Sequence, residues 1–200
     1  MPNWPGCGPL CRRPVTDDAR VRCPWADGSD LYRDYHDQEW GKPLRGRAAM
    51  FERMTLEAFQ SGLSWLIILR KRDNFRRAFA EFDIETVAGF TERDVARLME
   101  DAGIVRNRAK IEAAVSNARA AADLDTDLSD LLWSFAPPPR PRPALITDLP
   151  AQTPESKAMA KELKKRGFRF VGPTTAYALM QATGMVDDHL ANCWVPLGAR

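Results

Sequence analysis

The chain has 200 residues, of which 44% are hydrophobic and 28% are charged, and its formal net charge at pH 7 is +2. These values are typical of a soluble globular protein whose core is large enough to need no disulfides. The longest apolar run covers only residues 65–69, which is too short for a membrane span. The small net charge does not by itself indicate a nucleic-acid partner.

The first twenty residues are rich in proline, glycine and arginine, which predicts a flexible tail followed by one folded domain over residues 21–200. They lack the apolar segment of a secretory signal, so we expect a cytoplasmic protein. Thiols stay reduced in that compartment. We therefore interpret Cys7 and Cys11 in the tail as free thiols, with spare metal ligands as the alternative.

The two histidines of the chain both stand at metal-ligand spacing from a cysteine. His36 follows Cys23 by thirteen residues, and His189 precedes Cys193 by four. On a helix, a pair separated by four residues projects from one face, so His189 and Cys193 could hold one ion. Two imidazoles and two thiolates are typical of a structural zinc site. The alternative is that the histidines are ordinary hydrogen-bonded residues and the cysteines small buried hydrophobes.

Beyond residue 47 the sequence is dominated by helical periodicity, and strand patterns are weak throughout. Thr91 and Asp94 form a capping-box pattern for a helix that runs toward Gly103. A proline-rich stretch at residues 136–143 imposes an extended connector. The fold class is therefore predicted to be all-α. Further helices are predicted over residues 48–63, 65–82, 107–124 and 127–135.

Helix start and stop signals are clearest in the last third of the chain. Thr153 and Pro154 are an N-cap and a first-turn proline for a helix that we expect to end at Gly167. A second helix is predicted to start at Gly172-Pro173 and to end near Gly184. Residues 154–184 thus read as a helix-hairpin-helix motif.

The hairpin carries a candidate anion site. Gly167 and Gly172 let the backbone come close to a phosphate, and the free amides around Thr174 at the start of the second helix favour an anion. Arg169 adds positive charge. The alternative is a simple corner between two helices, whose glycines serve packing alone.

Several longer motifs together resemble the 3-methyladenine DNA glycosylase I family of the helix-hairpin-helix superfamily, and the resemblance runs from about Arg22 to Cys193. The connector at residues 136–143 departs from the family pattern. The segments that carry the resemblance are Cys23-Pro24-Trp25, Leu31-Tyr32, Tyr35-His36-Asp37, Glu39-Trp40-Gly41, Leu56-Glu57, Gly62-Leu63-Ser64-Trp65, Asp101-Ala102-Gly103-Ile104, Trp133-Ser134-Phe135, Leu163-Lys164-Lys165-Arg166-Gly167-Phe168 and Asp188-His189.

The resemblance implies two helical lobes and a role for each matching residue. One zinc ion would join the terminal segments through Cys23, His36, His189 and Cys193. Glu57 would be the carboxylate that recognises the base, and Gly62-Leu63 would fill the gap that the extruded base leaves in DNA. Asp187 lies where the wider superfamily keeps a catalytic aspartate. The base would be enclosed by Trp25, Tyr32, Tyr35, Trp40 and Trp65.

The expected activity is hydrolytic release of 3-methyladenine from alkylated double-stranded DNA, leaving an abasic site, by a chain that needs no protein partner. A base must leave the stack to be cut, and aromatic faces with one carboxylate suit a cationic purine. Two other functions are weighed: a non-catalytic DNA-binding protein with a structural zinc, and a zinc hydrolase, which would need an open coordination position. For Glu57, the alternative is a surface glutamate paired with Arg53.

Overall fold

The computed structural model of the protein describes residues 19–196, so Cys7, Cys11 and nearly all of the predicted tail lie outside the described residues. Within this range every regular element is helical, as predicted. The α-helices are α1 (Asp30–Gln38), α2 (Arg47–Gln60), α3 (Trp65–Ala78), α4 (Ile84–Ala88), α5 (Glu92–Glu100), α6 (Arg108–Ala122), α7 (Leu128–Trp133), α8 (Pro154–Lys165) and α9 (Pro173–Ala182), and 3-10 helices cover Pro24–Gly28, Ala80–Phe82 and Ile146–Asp148.

Side-chain caps determine where several helices begin. The Thr91 amide donates to the Asp94 carboxylate at 2.9 Å, which forms the predicted capping box of α5. Thr153 accepts a hydrogen bond from the Ser156 amide at 3.2 Å, and Pro154 occupies the first turn of α8, as predicted. A cap of this kind typically contributes about 1 kcal/mol. The local sequence thus sets these helix starts.

The helix predicted over residues 65–82 is interrupted. It ends at Ala78, and residues 80–82 form a turn with φ between 51° and 57°. This turn places Phe79 and Phe82 in the core, where both are fully buried and their rings stack at 5.6 Å. Burial of two large aromatic side chains offsets the cost of left-handed backbone conformation.

Two helices, α1 and α4, have no counterpart in the sequence prediction. The first is capped by Ser29, whose hydroxyl accepts a hydrogen bond from the Tyr32 amide at 3.2 Å. Its buried residues are Tyr35 and His36 rather than aliphatic side chains, so it lacks the usual apolar periodicity. The second has only five residues, too few for periodicity to indicate a helix.

The helices form two lobes that share an apolar core. Helices α2 to α7 follow one another in the chain and make one lobe, in which α4 and α5 pack against α6. The other lobe contains α8, α9 and the terminal segments, and it joins the first where α9 packs on α2. The two ends of the described range meet where the Trp194 amide donates to the Val21 carbonyl at 2.9 Å. No helix within residues 19–196 is long and apolar enough to cross a membrane.

Candidate functional site: a Cys-His cluster and an aromatic cavity

Cys23, His36, His189 and Cys193 come together in the folded chain, and all four are buried. Their ligand atoms lie within 4.8 Å of one another. Cys193 Sγ is 3.5 Å from both His36 Nε2 and His189 Nδ1, and Cys23 Sγ is 3.8 Å from His189 Nδ1. A tetrahedral ion with bonds of about 2.3 Å to sulfur and about 2.0 Å to nitrogen separates such ligands by about 3.5 Å. The cluster could therefore hold a metal ion.

Hydrogen bonds on the outer sides of the two imidazoles determine which nitrogen faces the cluster. His36 Nδ1 lies 2.8 Å from a carboxylate oxygen of Asp37 and therefore carries a proton, which leaves Nε2 unprotonated and able to bind a metal. His189 Nε2 lies 3.2 Å from the Trp40 carbonyl, which leaves Nδ1 free. Contacts of this kind orient imidazole ligands in metal sites.

The chemistry of the buried donors also fits a metal ion. Burial raises the pKa of the Cys23 thiol to about 12 and lowers the pKa of His189 to about 4. A neutral imidazole is the form that binds a metal, whereas a buried thiolate is stable only beside a cation. A bound metal ion would supply that positive charge.

His189 and Cys193 do not lie on a helix, contrary to the prediction from their spacing. Residues 186–196 contain no helix. Instead, the Cys193 amide donates to the Leu190 carbonyl at 2.9 Å and closes a turn. A turn folds the chain back over the same few residues, so the two ligands still meet.

An aromatic cavity of about 340 Å³ lies beside the cluster, where the N-terminal segment meets α2, α3 and α9. Its volume is within the usual range of small-molecule sites. The structure brings together in its wall all six residues predicted for a base pocket, namely Trp25, Tyr32, Tyr35, Trp40, Glu57 and Trp65.

Glu57 is the only carboxylic acid among the described residues that line this cavity. Its side chain is 5% exposed, and burial raises its pKa to about 7, although Arg53 one turn earlier on α2 acts in the opposite direction. The Arg53 guanidinium donates to the Tyr35 hydroxyl at 2.8 Å and to Glu39 at 3.4 Å. Within residues 19–196 no group donates a hydrogen bond to Glu57. It is therefore not the surface half of an ion pair with Arg53.

Contacts at their edges hold the cavity aromatics in place. The Tyr32 hydroxyl accepts a hydrogen bond from the Leu66 amide at 2.9 Å. Trp25 packs edge-on against Tyr32 and Trp40, with ring centroids 5.8 and 5.1 Å apart. Trp40 in turn packs edge-on against the His189 ring at 4.7 Å. The cavity wall is thus continuous with the Cys-His cluster.

Four residues that line the cavity were not predicted: Gln60, Leu149, Ala178 and Gln181. Only Gln181 could have been found from the sequence, because it is a polar residue in an otherwise apolar run of α9. A lone polar residue on an apolar helix indicates either a buried hydrogen-bond network or a site. Leu149 and Ala178 carry no comparable signal, since both residue types are common in cores.

Asp187 does not reach the cavity in this structure. Its carboxylate accepts two hydrogen bonds from Arg142, at 2.9 and 3.0 Å. The next residue, Asp188, instead accepts a hydrogen bond from the cavity residue Gln181 at 2.9 Å. Arg142 belongs to the proline-rich connector, so this segment anchors the C-terminal lobe.

Gly62 and Leu63, the residues predicted to fill the gap in DNA and called the wedge from here on, lie in the loop between α2 and α3. Gly62 has φ +80°, and Leu63 is 37% exposed. The buried ammonium of Lys110 on α6 donates to the carbonyls of Phe59 and Ser61, at 2.9 and 2.5 Å. This loop therefore exposes Leu63, while Lys110 fixes the backbone of the residues just before it.

The predicted anion site lies in a second exposed loop, between α8 and α9. Gly167 has the expected positive φ of +88°, whereas Gly172 has φ −71° and Phe170 takes the left-handed conformation instead. Asn117 on α6 accepts a hydrogen bond from the Arg169 amide at 2.7 Å and donates to its carbonyl at 2.9 Å. The side chains of Arg169 and Thr174 are exposed.

Comparisons with known proteins agree on one family. The family model described as methyladenine glycosylase matches residues 25–196. The DNA-3-methyladenine glycosylase of Haemophilus influenzae is 46% identical over 181 residues, which cover 86% of this chain and 96% of that protein. DNA-3-methyladenine glycosylase 1 of Escherichia coli K12 is 44% identical over 177 residues, covering 86% and 95%. A crystal structure of a tyrosine-to-phenylalanine variant of a 3-methyladenine DNA glycosylase I, in complex with 3-methyladenine, is similar with a TM-score of 0.84 at 33% identity, covering 89% of this chain and 99% of that chain.

Proposed function

Because the chain belongs to the methyladenine glycosylase family, we propose that it releases 3-methyladenine from alkylated DNA by hydrolysis of the N-glycosyl bond and leaves an abasic site. One observation carries the proposal: a buried carboxylate with no hydrogen-bond donor among the described residues shares a cavity with five aromatic rings. The relatives from H. influenzae and E. coli are named for this activity.

The cavity suits the charge and shape of the lesion. Within the DNA chain, an adenine that is methylated at N3 is a flat cation, so aromatic faces attract it beyond ordinary stacking. Glu57 would accept hydrogen bonds from the base edge and balance the positive charge. A neutral adenine would lack that charge and leave a buried carboxylate uncompensated. This difference would select the damaged base.

Only modest chemical assistance is required, because alkylation already makes the base a good leaving group. We propose that the cavity positions the extruded nucleotide, excludes bulk water and stabilises the developing positive charge on the sugar until water attacks. Both histidines are engaged in the Cys-His cluster, and the Lys110 ammonium is bound to backbone carbonyls. No lysine is among the described residues that line the cavity, so we propose simple hydrolysis without strand cleavage. The pairing of Asp187 with Arg142 favours a structural role for that aspartate.

We propose that the Cys-His cluster holds one structural zinc ion. Two thiolates and two imidazoles are a preferred zinc set, and four protein ligands leave no position for a reactive water. The ion would supply a crosslink between the first and last segments of the described range. The residues that would hold it are Cys23, His36, His189 and Cys193.

The two exposed loops held by α6 are the proposed contacts with duplex DNA. Leu63, next to Gly62, would fill the gap in the stack, while Gly167, Arg169, Gly172 and Thr174 would bind backbone phosphates. We also propose that the protein acts as a monomer. A DNA substrate and reduced thiols are both consistent with a cytoplasmic, nucleoid location.

The competing function, a DNA-binding protein without catalysis, requires no pocket. In such a protein Glu57 and Trp65 would be free to point away from any concave surface. Both line the same cavity here, so nothing favours that alternative.

Base release from methylated duplex DNA tests the proposed function. The wild-type chain is incubated with the DNA, and the released bases are identified by mass spectrometry, with unmethylated DNA as the control. We expect free 3-methyladenine and strands that break only after alkali treatment. Absence of free 3-methyladenine would refute the activity, and strand breaks without alkali would refute simple hydrolysis.

A further inference from the structure

Gln181 is a cavity residue whose orientation is set by a buried hydrogen-bond network. Its Nε2 donates to Asp188 at 2.9 Å. The side chain of Asp188 is fully buried and also accepts hydrogen bonds from the Tyr177 hydroxyl and from Arg140, the latter at 2.8 Å. Arg140 belongs to the proline-rich connector at residues 136–143, so this otherwise unusual segment helps to fix a group in the cavity wall.

The chemistry of Asp188 determines which end of the amide faces away from it. A carboxylate paired with a guanidinium accepts hydrogen bonds and donates none. The amide nitrogen of Gln181 must therefore point toward Asp188. The amide oxygen Oε1 receives no hydrogen bond from any residue in the range 19–196, and it is not among the buried atoms that lack a partner. It is accessible and unpaired in a cavity-lining side chain.

We propose that Gln181 is a specificity-determining residue whose Oε1 accepts a hydrogen bond from the exocyclic amino group of the methylated adenine, with Asp188 as its positioning residue. This inference rests on the proposed function. Adenine carries an amino donor at its six-position, whereas guanine carries a carbonyl acceptor there. An oriented amide oxygen would bind the amino group of adenine and disfavour the carbonyl of guanine, because two acceptors that face each other both stay unpaired. The amino group carries two hydrogens, so Glu57 and Gln181 can each accept one of them.

Two variants test the orientation. Both are assayed on duplex DNA that contains 3-methyladenine and 3-methylguanine, and each released base is quantified by mass spectrometry. Gln181→Leu should lower 3-methyladenine release about tenfold, equivalent to about 1.4 kcal/mol, without a matching loss for 3-methylguanine. Asp188→Asn can donate to Oε1 and turn the amide nitrogen into the cavity, so it should shift the ratio further toward 3-methylguanine. Gln152→Leu, an exposed glutamine outside the cavity wall, is the matched control.

The ratio of released 3-methyladenine to released 3-methylguanine shows whether Gln181 determines specificity or only supports the fold. An equal loss of both bases, or an unchanged ratio in Gln181→Leu, would overturn the inference while the wild-type activity stands. Release of neither base by the wild type would instead refute the proposed function. Thermal unfolding and metal content are measured for every variant, and if Asp188→Asn does not fold, the result for Gln181→Leu decides.

Discussion

At the scale of single residues, Glu57 is a buried carboxylate whose charge is offset only in part by Arg53. Burial raises its pKa to about 7, and no described residue donates a hydrogen bond to it. Such a carboxylate costs folding free energy when it ionises. Strongly perturbed pKa values in a concave site are a mark of function.

The pH dependence of base release should report the ionisation of Glu57. Only the ionised form balances a cationic base, so kcat/KM for 3-methyladenine should rise from pH 6 to pH 8 with an apparent pKa near 7. The profile is measured with methylated duplex DNA at constant ionic strength, because salt alone alters DNA affinity. A flat profile from pH 5.5 to 8.5 would contradict this role.

Replacing the carboxylate should stabilise the protein at high pH. The folded-state pKa of Glu57 lies above the ordinary value of 4.5, so its contribution to stability is present below pH 4.5 and is lost as the pH rises through about 7. Glu57→Gln stays neutral and avoids that loss. We expect it to be more stable than the wild type by about 3 kcal/mol at pH 8 and by less than about 1 kcal/mol at pH 5. Equal denaturant unfolding curves at pH 8 would contradict the burial of this charge.

At the scale of elements, α6 joins the two loops that are proposed to contact DNA. Lys110 holds the loop that carries Gly62 and Leu63, and Asn117, two helical turns later, holds the backbone of Arg169. Seven residues of α-helix span about 10.5 Å. One rigid helix therefore sets the distance between the wedge and the hairpin.

Lys110→Met should separate DNA binding from base binding. It removes two hydrogen bonds to the wedge loop, so release of 3-methyladenine from duplex DNA should fall at least about tenfold. Binding of free 3-methyladenine, followed by tryptophan fluorescence, should change less than about twofold, because Lys110 does not line the cavity. Glu112→Gln on the same helix is the control. Equal losses in both assays would show that Lys110 supports the cavity instead.

A helix boundary can be predicted from sequence when the residues that determine it are local in the chain. Capping residues such as Thr91 and Thr153 act locally, so the starts of α5 and α8 could be read from sequence. The break after Ala78 depends on burial of Phe79 and Phe82 in a core that forms only in the folded chain.

The residues of the site likewise fall into a predictable group and a group that depends on the folded structure. Its aromatic residues and Glu57 come from motifs, whereas Gln181 acquires its place through Asp188 and the distant Arg140. Sequence spacing does not encode such contacts. It also did not distinguish the turn that joins His189 to Cys193 from a helix.

At the scale of the whole molecule, the Cys-His cluster joins the two ends of the described chain. Cys23 and His36 precede the helical body, while His189 and Cys193 follow it. A crosslink that closes so long a loop reduces the conformational entropy of the unfolded chain. In the chain-entropy model this contributes on the order of 4–5 kcal/mol to the free energy of unfolding. Because Trp40 contacts His189, the same closure supports the cavity wall.

Loss of a metal ligand should therefore destabilise the fold. Cys193→Ala should reduce the bound zinc and lower the free energy of unfolding by several kcal/mol, since metal binding is coupled to folding. Metal content is measured by mass spectrometry and stability by denaturant unfolding, with Glu57→Gln as a variant that keeps the full ligand set. Equal zinc content in Cys193→Ala and the wild type would contradict the ligand assignment.

The most direct measurement is the rate at which the wild type and Glu57→Gln release 3-methyladenine from methylated duplex DNA at pH 8 and equal zinc content. Chemistry centred on the Glu57 carboxylate predicts that the variant retains its zinc, unfolds at higher denaturant concentration and releases the base about 100-fold more slowly. Equal release rates for the two proteins would contradict it.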